Sequence, residues 1–250
     1  MAKKKLHRII NIGFVMVFFA LITWGIFQLP RIVEAFYSTI VVSGAYLGIW
    51  MGLKVTLALT MAGALLGTFF GALICSMRMS NIRSLQILGQ ILVAVLRGTP
   101  VVMLLMFLYF FVFVGNYIEA MYVAMLGYGL NTGSHMAEIF RTSIEAINPR
   151  EIEAARMLGF SRSRAFFFIT LPQSWKIAKP IYESCIVSLI QWTSVAGYIS
   201  VTELTRIVNG LGSRTGNPFF ALFLGIVIYL GLAYTVRFIF WIDNKRGLAQ

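Results

Sequence analysis

Asn131, Ser134, His135, Glu138, Thr142 and Glu145 recur at steps of mostly three and four residues inside an otherwise apolar stretch. That spacing puts them on one face of a helix. Ser184, Ser188, Gln191 and Ser194 repeat the pattern further along, with Tyr198 continuing the line. Such groups can hydrate a path or hold a polar solute. They cannot run a covalent reaction, and the rest of the chain supplies no catalytic apparatus. It has no G-x-x-x-x-G-K-[ST] phosphate loop, no nucleophile elbow, no Cys/His cluster and no paired carboxylates in a water-soluble segment. His135 has no second His or Cys at ligand spacing, so no metal is expected.

The two polar stripes would be costly facing lipid. They belong either to a hydrated path or to hydrogen-bonded packing between helices. For the serines and Thr142 packing is the plainer reading. Asn131, Glu138 and Gln191 carry stronger polarity and are assigned to a path, with Ser134 and Ser194 beside them. Glu138 has two readings of equal weight, as counter-ion for a cationic solute or as partner of Arg141 on the next turn.

The elements that hold these residues are membrane spans. The chain has 250 residues, 59% of them hydrophobic and only 12% charged, about half the charged fraction of a soluble domain. The apolar residues come in long blocks at 9–29, within 45–77, at 91–114 with an interruption at 97–100, and at 117–147, 181–200 and 218–242. Six blocks of this kind read as an all-α integral membrane protein with about six spans. The first follows a basic start and no small-x-small cleavage site follows it, so it is expected to be a retained span and not a signal peptide. Gly63, Gly67 and Gly71 share one face of the second block and invite close approach by another helix. The net charge of +12 suggests nucleic acid at first sight. The cations sit mostly in short loops, without an aromatic–basic soluble patch, so no nucleic-acid partner is expected. All Lys and Arg except Arg31, Lys54, Arg206 and Arg214 fall on one side of the six-span arrangement, which predicts cytoplasmic termini. Cys75 and Cys185 each lie in or beside an apolar block, where a structural disulfide is not expected.

Between the fourth and fifth blocks lies a polar loop, 148–172. Asn148 is a good N-cap, Pro149 suits the first helical position, and Glu151 falls where a capping box places its acid. Ile152, Ala155 and Leu158 are predicted to line one face, and Gly159 to end the helix. A second helical run should start near Ser161 and stop before Pro172.

This loop also carries a longer pattern. Glu153-Ala154-Ala155, three residues, Gly159, nine residues, Ile169, one residue, Leu171-Pro172 resembles the EAA loop of permease subunits in ATP-binding-cassette importers. Arg97-Gly98-Thr99-Pro100, Ala137-Glu138-Ile139-Phe140-Arg141 and, less specifically, Val201-Thr202-Glu203-Leu204 resemble signatures of the polar-amino-acid branch. The similarity covers roughly 52–246. It implies a five-helix type I importer core at 45–246 holding the coupling loop, preceded by a tail, added span and outer loop at 1–44 and followed by a short tail at 247–250. It implies a bacterial inner-membrane location and docking of an ATPase subunit on Glu151, Glu153, Ala154, Ala155, Leu158, Gly159 and Arg162. It further implies a second permease chain, a periplasmic or extracellular binding protein, and surrounding membrane lipid. ATP and magnesium would sit on the partner ATPase, and no cofactor on this chain. The solute would be a polar amino acid or derivative, moved by alternating access. An ion-coupled secondary carrier is the alternative, but its internal repeat is missing. One departure stands out: the branch commonly has Lys-Asp where this chain has Gln191-Trp192. Arg97 to Pro100 is read as mainly structural, with Thr99 capping a helix that starts at the inner interface.

Overall fold

In the computed structural model the described residues are 44–115 and 118–247, with positions 30, 33, 34, 36, 37 and 40. The expected first span, 9–29, lies outside them. No strand occurs among the described residues.

Helix α1, Ala45–Arg78, is 34 residues long, about 50 Å at the helical rise. Its glycine stripe does what the spacing predicts. Gly63, Gly67 and Gly71 are buried against α4, Ala120–Glu145. A Cβ on Gly67 would stand 2.8 Å from that of Thr132, and one on Gly71 would overlap Met136. Helix α4 answers with Gly129 and Gly133, which lie against Leu66 and Phe70 of α1. Dispersion contacts at this range replace the hydrophobic effect, which is weak between helices in lipid. On the far side of α1, Leu57, Met61, Leu65, Phe69 and Leu73 are exposed at four-residue steps.

Helix α2, Arg83–Gly98, and α3, Val101–Phe107, are separated by a 105° bend and together meet the length and apolarity of one span. A π-helical turn, Leu108–Val112, extends α3. Thr99 does not cap α3. Its hydroxyl donates back to Val95 O at 2.8 Å, closing α2, and Pro100 takes the position before α3.

After α4 come α5, Pro149–Met157, and α6, Arg162–Ala165. A π-helical turn, Phe166–Thr170, leads directly into α7, Leu171–Thr193. The predicted stop before Pro172 does not occur. Pro172 sits in the first turn of α7, directly after the π-helical turn, and the helical run continues through it. Helix α7 therefore begins ten residues before the expected 181. A 3₁₀ turn, Ala196–Ile199, and a left-handed Ser200 (φ 70°) reverse the chain.

The stretch 203–217, with Gly210, Gly212 and Gly216, reads in sequence as an outer loop. Most of it is α8, Leu204–Thr215. Glu203 caps it, accepting from the N–H groups of Thr205 and Arg206 and from the Tyr229 hydroxyl. Leu204, Val208 and Leu211 bury one face, and Gly52 gives α1 room against Leu204. Helix α9, Pro218–Gly247, completes the bundle. Helices α1 and α9 each satisfy the length and apolarity of a span alone. Helices α4 and α7 are too polar for that. They pack on each other, and α4 also on α1, α2 and α3.

Candidate functional site

The loop after α4 presents a small rigid knob. Asn148 accepts the N–H of Arg150 at 3.1 Å. At the other end Gly159 has φ +89°. The Gly159 N–H donates to Arg156 O and the Phe160 N–H to Ala155 O, both at 3.1 Å. These two bonds form a Schellman motif, which satisfies the last carbonyls of α5. Ser161 then caps α6 by accepting the Arg164 N–H at 3.3 Å.

Two details differ from the capping-box expectation. Glu151 does not reach back to its cap. Its carboxylate accepts from Gln173 Nε2 at 2.6 Å, tying α5 to the start of α7. Leu158 does not join the inner face either. Ile152 is half-buried and Ala155 buried, but Leu158 is 81% exposed and Met157 84%. Leu158 is the C-cap, where the chain leaves helical geometry, and Met157 lies on the outer face of α5. Glu153, Ala154, Gly159 and Arg162 are also exposed. Ala155 is inside, so it positions the knob and cannot touch a partner.

The polar stripes of α4 and α7 meet in a groove of about 360 Å³. His135, Glu138 and Thr142 line it from α4, Ser184, Ser188 and Trp192 from α7, and Arg97 from the end of α2. The His135 and Trp192 rings lie 5.2 Å apart, tilted by 35°. Glu138 is held by ion pairs to both Arg141 and Arg78, and Arg141 continues to Glu145. Of the two readings for Glu138, the pairing holds, and it reaches across to α1 as well. Arg97 has no carboxylate within salt-bridge distance among the described residues.

The expected path residues separate into three places. Glu138 lines the groove. Asn131 and Ser134 do not. Asn131 is 4% exposed and donates to Leu96 O at 3.1 Å. Ser134 is fully buried and donates to Asn131 O at 2.6 Å. Gln191 and Ser194 face a different cavity, between α7, α8 and α9. Asn131 and Glu138 share one face of α4 but lie seven residues, about 10 Å, apart along it, so they meet different neighbours.

With this geometry the chain matches, over residues 63–247, the family described as the binding-protein-dependent transport system inner membrane component. The chain belongs to that family. Among relatives of this transport component is the probable amino-acid ABC transporter permease protein YckA of Bacillus subtilis. It is 34% identical over 145 residues, covering 58% of this chain and 64% of YckA. The L-cystine transport system permease protein TcyB, from the same organism, is 32% identical over 173 residues, covering 68% of this chain and 70% of TcyB. A solved amino acid ABC transporter with histidines has 26% identity and a TM-score of 0.75, covering 84% of this chain and 98% of that one. The fold is thus the all-α fold of ABC importer permeases, in a multi-pass membrane protein.

The matched span of the transport component includes both the knob and the groove. Sequence reasoning set aside three groove residues. In sequence His135 stands in the stripe without a second metal ligand at spacing, and Trp192 stands out only as a departure from the branch pattern. Arg97 was counted as an inner-interface cation. Because α2 is unbroken from Arg83 to Gly98, Arg97 is carried about 21 Å along it. The bond from Asn131 to Leu96 O fixes that level near the middle of α4. The signal for Arg97 was the apolar run that precedes it, which leaves no break below 97.

Proposed function

We propose that this chain is the membrane-spanning subunit of an ATP-driven importer for amino acids or their derivatives. A second permease chain, identical or related, completes the path. A separate ATPase subunit, carrying ATP and magnesium, docks on the α5 knob from the cytoplasm. A binding protein delivers solute from the opposite side. The observation that carries this reading is the knob itself. Met157 and Leu158 stand 84% and 81% exposed on a helix fixed at both ends by its own caps. Large apolar side chains exposed side by side on a rigid, otherwise polar surface mark a contact site for a partner.

The groove supports the solute class. Arg97 is its cation without a carboxylate partner among the described residues, and a planar guanidinium suits a solute carboxylate. The His135–Trp192 pair offers an aromatic wall beside it. Glu138, already held by two guanidiniums, is poorly placed to be the counter-ion of a cationic solute. ATP binding closes the ATPase pair, draws two knobs together and turns the path outward; hydrolysis reverses it. A capped helix transmits such a displacement, where a loose loop would absorb it.

The test is copurification of the tagged chain from membranes, together with uptake in sealed vesicles. The native chain should bring down an ATPase subunit and support uptake of labelled amino acids that requires ATP. Gly159→Val, a β-branched residue at φ +89°, should lose the ATPase and the uptake while the chain still extracts as a folded protein. Uptake driven by an ion gradient without ATP would overturn the proposal.

A further inference from the structure

The groove between α4 and α7 keeps its donors apart from its acceptors. Arg97 brings a planar fork of N–H donors and no acceptor, and it makes no ion pair among the described residues. Thr142, Ser184 and Ser188 each have a single hydroxyl hydrogen, and each gives it to its own helix. Thr142 donates to Glu138 O at 2.8 Å, Ser184 to Pro180 O at 3.2 Å and Ser188 to Ser184 O at 3.0 Å. Their oxygens therefore line the groove as acceptors. Glu138 is the one acid among the described lining residues. Both its oxygens are engaged, one by Arg78 and the other by Arg141. Glu183, next to Ser184 in sequence, does not line the groove.

These groups stand in order along the helices. Trp192, Ser188 and Ser184 are four residues apart on α7, in steps of about 6 Å. The chain enters the knob from α4 and leaves it by α7, so the two helices run in opposite directions. The His135 and Trp192 rings meet at 5.2 Å. Thr142, about 10 Å further along α4, therefore lies toward Ser184. Arg97 belongs to the aromatic end, because the bond from Asn131 to Leu96 O sets that part of α2 one turn from His135. A carboxylate suits the guanidinium fork. An α-ammonium, one carbon away from that carboxylate, reaches the Ser188 oxygen. The side chain then runs toward Thr142 and Ser184, where a donor is accepted. A second positive charge finds no free acid there, and a desolvated charge without a partner is costly.

We propose that the groove selects amino acids whose side chain is uncharged and carries a hydrogen-bond donor, a carboxamide or a hydroxyl, and rejects cationic ones. The inference rests on the importer reading above and narrows its solute. Trp192 and Ser188 set the choice. They hold the α7 positions beside the solute's main-chain end and its middle, and neither brings a negative charge. A carboxylate at either position would supply a counter-ion and admit a second positive charge.

The test uses the full chain with its copurifying membrane and ATPase subunits, washed free of binding protein and held in nanodiscs. The complex is equilibrated with an equimolar mixture of the common amino acids, and those retained are quantified by mass spectrometry. ATP-driven uptake is measured on the same preparation in vesicles. The native complex should retain glutamine, asparagine, serine or threonine about tenfold above lysine and arginine. Trp192→Asp should raise the ratio of retained lysine and arginine to glutamine by about tenfold. Trp192→Asn, of the same size but uncharged, should leave that ratio unchanged. A merely structural role for Trp192 would lower all retained amino acids together in both variants and leave the ratio where it was. Should Trp192→Asp fail to give a folded complex, Ser188→Asp makes the same change one turn away and decides alone. Lysine or arginine retained best by the native complex overturns the proposal. So does a ratio unmoved by the added carboxylate, or amino acid uptake by a complex that retains none. In each of these cases ATP-dependent uptake would leave the importer reading standing, whereas uptake that needs no ATP would overturn that reading itself.

Discussion

Helix α5 is fixed by neighbours in sequence: Asn148 before it, Gly159 and Phe160 after it, and Ser161 starting the next turn. The groove is fixed by residues far apart, with Arg97, His135 and Trp192 drawn from three helices. The knob is exposed and owes little to packing. The groove exists only because α1, α2 and α7 all press on α4. The difference teaches where each part is vulnerable. Local bonds can be removed one by one at modest cost, whereas a helix contact without free space fails as a unit.

The largest effect should come from the contact that supports the groove. Gly71→Leu places a side chain where even a Cβ overlaps Met136, with backbone of Gly133 and Ala137 alongside. Neither backbone can give way, so α1 and α4 must separate. Overpacking of this kind costs about 3 kcal/mol or more. Thermal unfolding in detergent should show a clear loss of stability, or the chain should fail to accumulate. A Gly71→Leu protein as stable as the native one would break the contrast, by showing that the bundle is as tolerant as the loop.

A smaller and cleaner effect should come from within the groove. Arg97→Gln removes a charge without removing packing, since Arg97 is exposed and makes no ion pair among the described residues. Stability and ATPase copurification should hold, while the KM for amino acid uptake rises by about tenfold, the loss of about 1.4 kcal/mol of solute binding. The same KM with a solute lacking the carboxylate, in native and variant alike, would sharpen the assignment to that group. An unchanged KM for the amino acid itself would remove Arg97 from the site.

How much of this was legible in sequence follows the same division. The caps Asn148, Gly159 and Ser161 were readable because each acts on backbone within a few residues. The glycine stripe of α1 was readable as a close contact, though nothing in its spacing named α4 as the partner. The side-chain partner of Glu151 was not readable, because Gln173 becomes its neighbour only when α6 and α7 fold back. Helix α8 was hidden for a related reason. Gly212 and Gly216 looked like loop residues, but Gly212 packs on Pro218 and Gly216 ends the helix at φ +70°. Nothing in the sequence around Glu203, which starts it, shows that this acid is fully buried. Arg97 was misplaced because a Gly-Thr-Pro sequence suggested a helix beginning, when the physical event is a 105° bend near mid-bundle.

The smallest expected effect tests the knob at its most local. Asn148→Ala removes one acceptor, the partner of the Arg150 N–H, and that N–H is exposed and can turn to water. Loss of an N-cap costs about 1 kcal/mol of helix stability. The knob keeps three other supports: the Schellman turn, the Glu151–Gln173 bond and the buried Ala155. Fraying should therefore be confined to the first turn, away from Met157 and Leu158. ATPase copurification should persist with affinity lowered by less than about fivefold. Hydrogen exchange should rise at residues 150–152 and stay unchanged at 156–160. If exchange rises across the whole of α5 and the ATPase is lost, the knob is one cooperative unit, as fragile as the helix contact at Gly71, and the contrast between the two regions fails.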